Sequence, residues 1–118
     1  MVKISIDGDK LKVTIEGFDK GLSLKTHLDV PLSHVRGARP DADAARGRAG
    51  LKMGGARIPG LITAGTFRKD GEWIFFDVHH AEKALVIELD HEHYKRLVVE
   101  VEDPSSTANM INEAMRNQ

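Results

Sequence analysis

Leu97-Val98-Val99-Glu100-Val101-Glu102-Asp103-Pro104-Ser105-Ser106-Thr107-Ala108-Asn109-Met110-Ile111-Asn112-Glu113-Ala114-Met115-Arg116 contains a change of period. Leu97, Val99 and Val101 recur at every second position, the spacing of a strand with one buried face. Beyond Asp103 the apolar residues are Ala108, Ile111 and Met115, three and four apart, which is the stripe of an amphipathic helix. The residues at the switch suit it. Aspartate is a favoured N-cap, and proline fits the first helical turn, where its missing N–H would have no partner. A strand therefore runs into one C-terminal helix.

Working back towards the N-terminus, residues 84–89 form another strand, with Leu85, Ile87 and Leu89 facing the same way as Leu97, Val99 and Val101. Residues 61–68 and 72–78 flank Lys69-Asp70-Gly71. A two-residue Asp70-Gly71 turn sets Phe67 opposite Ile74, Gly65 opposite Phe76 and Thr63 opposite Val78. It also sets Arg68 opposite Trp73 on the other face, within reach of a cation–π contact. Near the N-terminus, Val2, Ile4 and Ile6, then Leu11, Val13 and Ile15, alternate with polar residues around the turn Asp7-Gly8-Asp9-Lys10, so a hairpin is expected. A third strand is expected over 22–28. Pro31 confines the next run, 32–39, to an edge or a strand start, with Val35 inward. Residues 40–46 suit a short helix. Residues 47–60 contain five of the chain's eleven glycines and no apolar period, so they read as a long surface loop.

A chain of 118 residues suits one domain spanning 1–118, with that loop as an insertion. Without cysteine, disulfides, thiolate nucleophiles and cysteine-ligated metals are excluded. A net charge of −1 argues against a globally basic nucleic-acid binder. The early alternation of Val2, Ile4 and Ile6 does not suit a signal peptide, and no apolar run reaches the ~18–20 residues of a membrane span. The expected compartment is the cytoplasm.

Charge is nonetheless uneven. Residues 36–57 contain six bases and two acids, a net +4, while the remaining 11 bases and 16 acids leave −5. Arg46, Arg48, Lys52 and Arg57 are the candidate anion-binding residues, since guanidinium forks and glycine-rich backbone N–H groups both suit phosphate or carboxylate. The segment is no Walker loop and has no interleaved aromatics for stacking bases. Leu51, Met53, Ile58 and Leu61 are apolar in a segment too polar to bury itself, so they are candidates for self-association with a second copy.

Catalytic readings are weaker. His91 and His93, two apart in Asp90-His91-Glu92-His93-Tyr94, could share a metal with Asp90. Two histidines and one acid in a turn are better read as solvated, as are His79 and His80 at a strand end. Ser33 and His34 are adjacent and face opposite ways on a strand, so they make no nucleophile–base pair. Ser105, Ser106 and Thr107 fall in the first helical turn, and Glu100 and Glu102 on a strand's polar face. No catalytic residue, metal or cofactor is expected.

The succession of antiparallel strands and one terminal helix implies an α+β chain, mostly β. Val30-Pro31-Leu32-Ser33-His34-Val35, Gly71-Glu72-Trp73-Ile74-Phe75 and the 97–115 strand, cap and helix resemble the bacterial pleckstrin-homology-like family. That resemblance implies bent antiparallel sheets forming a seven-stranded open barrel capped by the C-terminal helix, without catalysis, serving interaction or assembly. One departure is the acidic loop Asp7-Gly8-Asp9-Lys10, where phosphoinositide-binding members of the wider fold carry bases. The function expected is a non-catalytic cytoplasmic interaction module that forms a homo-oligomer, a dimer for preference. It would have an unidentified protein partner and no nucleic-acid or membrane partner. The alternative is an anionic ligand or membrane headgroups held by residues 46–57.

Overall fold

The alternating N-terminal residues pair as expected: β1 (Val2–Asp7) and β2 (Lys10–Asp19) form a hairpin, and β3 (Leu22–Pro31) completes a three-stranded antiparallel sheet. The computed structural model describes residues 2–19, 22–45, 52–58 and 62–118, with side chains described outside 16–19, 22–26, 52–58, 62–65 and 67. Gly8 turns the first hairpin at φ +61°, a conformation glycine adopts without a Cβ clash. Pro31 ends β3. Leu32–His34 then forms a single 3-10 turn, where the sequence suggested that the next strand had begun. The Leu32 N–H donates to the Asp9 carbonyl at 2.8 Å and its side chain is buried, which ties the turn down.

A second, six-stranded sheet follows. Its strands are β4 (Val35–Pro40), β5 (Lys52–Ile58), β6 (Ile62–Lys69), β7 (Glu72–Val78), β8 (Ala84–Leu89) and β9 (Tyr94–Glu100), in the order β4-β8-β9-β7-β6-β5. Pairing is antiparallel except between β7 and β9, which run parallel because β9 inserts between β7 and β8. Asp70 and Gly71 both have positive φ, as a two-residue hairpin turn requires. The expected pairs Phe67–Ile74, Gly65–Phe76 and Thr63–Val78 all form. A short helix, α1 (Ala42–Ala45), lies between β4 and β5, with Asp41 Oδ1 accepting the Ala44 N–H at 3.1 Å. The loop expected over 47–60 is corrected in part: Lys52–Ile58 is strand, laddered to β6 from Lys52–Arg68 to Ile58–Ile62. Backbone pairing there overrides the poor strand propensity of Gly54 and Gly55.

The chain ends in α2 (Pro104–Arg116), with the Asp103 side chain accepting the Ser106 N–H at 3.0 Å. Its Ala108 and Ile111 enter the main core, where Leu11 and Val13 of the small sheet meet Val35, Leu85, Ile87, Leu97 and Val99 of the large one. A second cluster on the opposite face of the large sheet joins Ile74, Phe76, Val86 and Val98 to Ala45 of α1. The architecture is thus α+β, mostly β, with two sheets and a C-terminal helix. No closed barrel forms among the described residues, since β4 and β5 end the large sheet without pairing to each other. Among those residues, no helix is long and apolar enough to cross a membrane.

Candidate functional site

The two edges of the large sheet are treated differently. An edge strand presents a row of N–H and C=O groups that another chain can pair with unless something covers them. On β4 the cover is Asn112 of α2. Its amide nitrogen donates to the Ala38 carbonyl at 2.9 Å, and its carbonyl oxygen accepts the Ala38 N–H at 3.0 Å. The carboxamide thus behaves as one residue of a neighbouring strand. Nearby, Arg39 and Arg96 both bind Glu88 at 2.9 Å, lacing β4, β8 and β9 together. Burial pushes the Glu88 carboxyl up, but the two guanidiniums outweigh it and hold it below the usual glutamate range.

On the other side β5 pairs with β6 alone, and no strand among the described residues lies along its outer edge. Four of the candidate residues, Lys52, Met53, Arg57 and Ile58, fall on this strand, brought into one line by the ladder to β6. The other four, Arg46, Arg48, Leu51 and Leu61, lie outside the described residues. Arg68, opposite Lys52 in the register, has its guanidinium 5.1 Å from the Trp73 ring centroid, the contact the hairpin register predicts.

No family model, no curated protein and no solved structure matches this chain. Its chemistry is therefore read from its own contacts.

Four histidines, His34, His79, His80 and His91, each lie near a different carboxylate. His34 Nδ1 lies 2.6 Å from Glu92 Oε2, and the Asp90 N–H donates to the His34 carbonyl at 2.8 Å, so the β8–β9 turn is pinned to the Leu32–His34 turn. Asp90 is bound by Arg36 at 3.1 Å, a contact that lowers its pKa. His91 and His93 do not converge as a shared-metal reading would need. His91 adopts φ +59° and approaches His34, whereas His93 stacks on Trp73 with ring centroids 5.9 Å apart. Among the described residues, no group of three or more His, Asp or Glu is placed to hold a metal ion.

Glu100 corrects a second sequence-based reading. It is not on a solvated face but is buried, 4% exposed. One of its oxygens accepts the backbone N–H groups of His79 and His80, both at 2.7 Å, and the other lies 3.2 Å from His80 Nδ1. Burial raises its pKa, but these hydrogen bonds prevail and the net shift is downward. Its role is to tie the end of β7 to β9. Asn112, Glu92 and Glu100 escaped sequence reading because each acts on a partner 20 to 74 residues away.

Proposed function

We propose that this chain is a non-catalytic interaction and assembly module of pleckstrin-homology-like type, acting in the cytoplasm and self-associating through the outer edge of β5. The observation that carries the proposal is the contrast between the edges: α2 covers β4 through Asn112, while β5 has no cover among the described residues. Strands followed by one terminal helix seated on the sheet support the architectural part of the reading.

An exposed edge pairs most simply with its own copy, in a closed dimer. Full antiparallel overlap of the seven-residue strand places its midpoint, Gly55, on the two-fold axis and Lys52 opposite Ile58 of the second copy. No basic residue of β5 then faces itself. The chain lacks cysteine, so a single introduced thiol is unique. Opposed residues of an antiparallel pair have Cα atoms about 4.5–5.5 Å apart, within disulfide range. Gly55→Cys should therefore oxidise to a covalent dimer, while Lys52→Cys alone should not. Light scattering on the unmodified protein should give a mass above the 13.0 kDa of one chain. A monomer at micromolar concentration overturns self-association, and an oligomer in which Gly55→Cys fails to cross-link overturns the β5 edge.

A further inference from the structure

His34 and His91, far apart in sequence, meet where the Leu32–His34 turn touches the β8–β9 turn, with ring centroids 5.7 Å apart. Each ring has one nitrogen set against a carboxylate. His34 Nδ1 lies 2.6 Å from Glu92 Oε2, and His91 Nε2 lies 3.7 Å from Asp90 Oδ2. We propose that the pair forms a transition-metal site, in which His34 Nε2 and His91 Nδ1 bind a divalent ion such as zinc and water fills its remaining positions.

The carboxylates decide which nitrogens are offered. A carboxylate only accepts hydrogen bonds, so at 2.6 Å the His34 proton sits on Nδ1, and the lone pair of the neutral ring is on Nε2. The longer His91 contact is electrostatic and favours the N–H at Nε2 in the same way. A carboxylate on the far nitrogen is the usual companion of a metal-binding imidazole, since it fixes the tautomer and makes the free nitrogen more basic. Distance agrees. Zinc sits about 2.0–2.1 Å from an imidazole nitrogen and so about 3.2 Å from the ring centroid, which puts two rings on one ion about 5–6.5 Å apart. The protein itself holds the rings there: the Asp90 N–H donates to the His34 carbonyl at 2.8 Å, and Arg36 binds Asp90 at 3.1 Å. Local charge does not oppose a cation, because Asp90 and Glu92 outnumber Arg36. Nitrogen donors select zinc, copper or nickel over magnesium and calcium, which prefer oxygen.

The test is a zinc titration of the nitrogen-labelled protein, followed by long-range proton–nitrogen NMR of the imidazoles, which reports each ring nitrogen separately. Zinc should shift His34 Nε2 and His91 Nδ1 together, saturably and with one affinity, ahead of His27, His79, His80 and His93. Magnesium at the same concentration should move neither. Glu92→Gln keeps both histidines and should weaken zinc binding at least about tenfold, the scale of losing a carboxylate that orients a metal-binding imidazole. His91→Asn suits the left-handed backbone of that position, φ +59°, while removing one imidazole, and should weaken zinc at least as much. Absence of a saturable shift, or a shift at only one of the two rings, overturns the proposal. So does an equal response to magnesium, or a simultaneous response of all six histidines, which would mean an adventitious ion only. These outcomes are read on the unmodified protein and do not depend on a variant folding. Unchanged zinc affinity in either variant overturns the site as assigned.

Discussion

Burial pushes the carboxyls of both Glu100 and Asp77, close together near the end of the β7–β9 pair, upward, yet their net shifts are opposite. Glu100 ends with a lowered pKa because three hydrogen bonds from His79 and His80 outweigh its desolvation. Its stabilising contribution is therefore complete above the ordinary glutamate pKa of about 4.3 and is lost as pH falls through the lower folded value. Glu100→Ala leaves two backbone N–H groups without an acceptor and should cost about 2–4 kcal/mol near neutrality. That penalty should shrink in urea melts repeated on the acid side. Glu100→Gln retains an acceptor and should cost less. Asp77 is raised, chiefly by burial, with Glu100 adding to the shift and His79 opposing it. Its ionisation therefore costs stability above the ordinary aspartate range, and that cost disappears as pH falls. Asp77→Asn should raise the unfolding free energy from neutral-pH urea melts slightly, by less than about 1 kcal/mol, with no gain in acid. Period-two alternation correctly assigns Glu100 to the face opposite Leu97 and Val99. It carries no information about what covers that face, and so the burial was illegible.

The β6–β7 hairpin was readable down to its register, because a two-residue turn leaves no freedom in how the flanking strands pair. The same locality makes the Asp103 cap and the Ala108–Ile111 stripe of α2 readable. Ile111 is fully buried, and Ile111→Ala should lower stability by about 2–5 kcal/mol through lost burial and the cavity left behind. An unchanged urea midpoint would mean that α2 is not seated on the core. Asn112, beside it in sequence, was not readable, since nothing local distinguishes a carboxamide facing solvent from one docked on a strand 74 residues away. Asn112→Ala removes both bonds to Ala38 and exposes the β4 edge. It should cost about 1–3 kcal/mol and speed amide exchange at Ala38, while Asn112→Asp, which loses the donor and opposes a carboxylate to the Ala38 carbonyl, should cost at least as much.

At the scale of the whole molecule, the element list was largely accessible and the strand order was not. Consecutive strands usually lie side by side. Here β9 separates β7 from β8, and β9 is buried at every position from Leu97 to Glu100. Its unbroken Leu97-Val98-Val99 run, like Leu85-Val86-Ile87 in β8, suits a strand covered on both faces and hence placed centrally. Period two alone cannot say which neighbours supply the cover. The main core draws on both sheets and α2, so the two sheets should unfold as one unit. This can be checked with a single substitution, because the one tryptophan, Trp73, reports on the large sheet while Leu11 sits fully buried in the small one. Leu11→Ala should destabilise the protein by about 2–5 kcal/mol. The Trp73 fluorescence midpoint and the far-ultraviolet circular dichroism midpoint should move by the same amount, although Leu11 and Trp73 lie in different sheets. If Trp73 kept its original midpoint while part of the dichroism signal melted early, the small sheet would be an independently unfolding unit. The shared core would then not couple the two sheets.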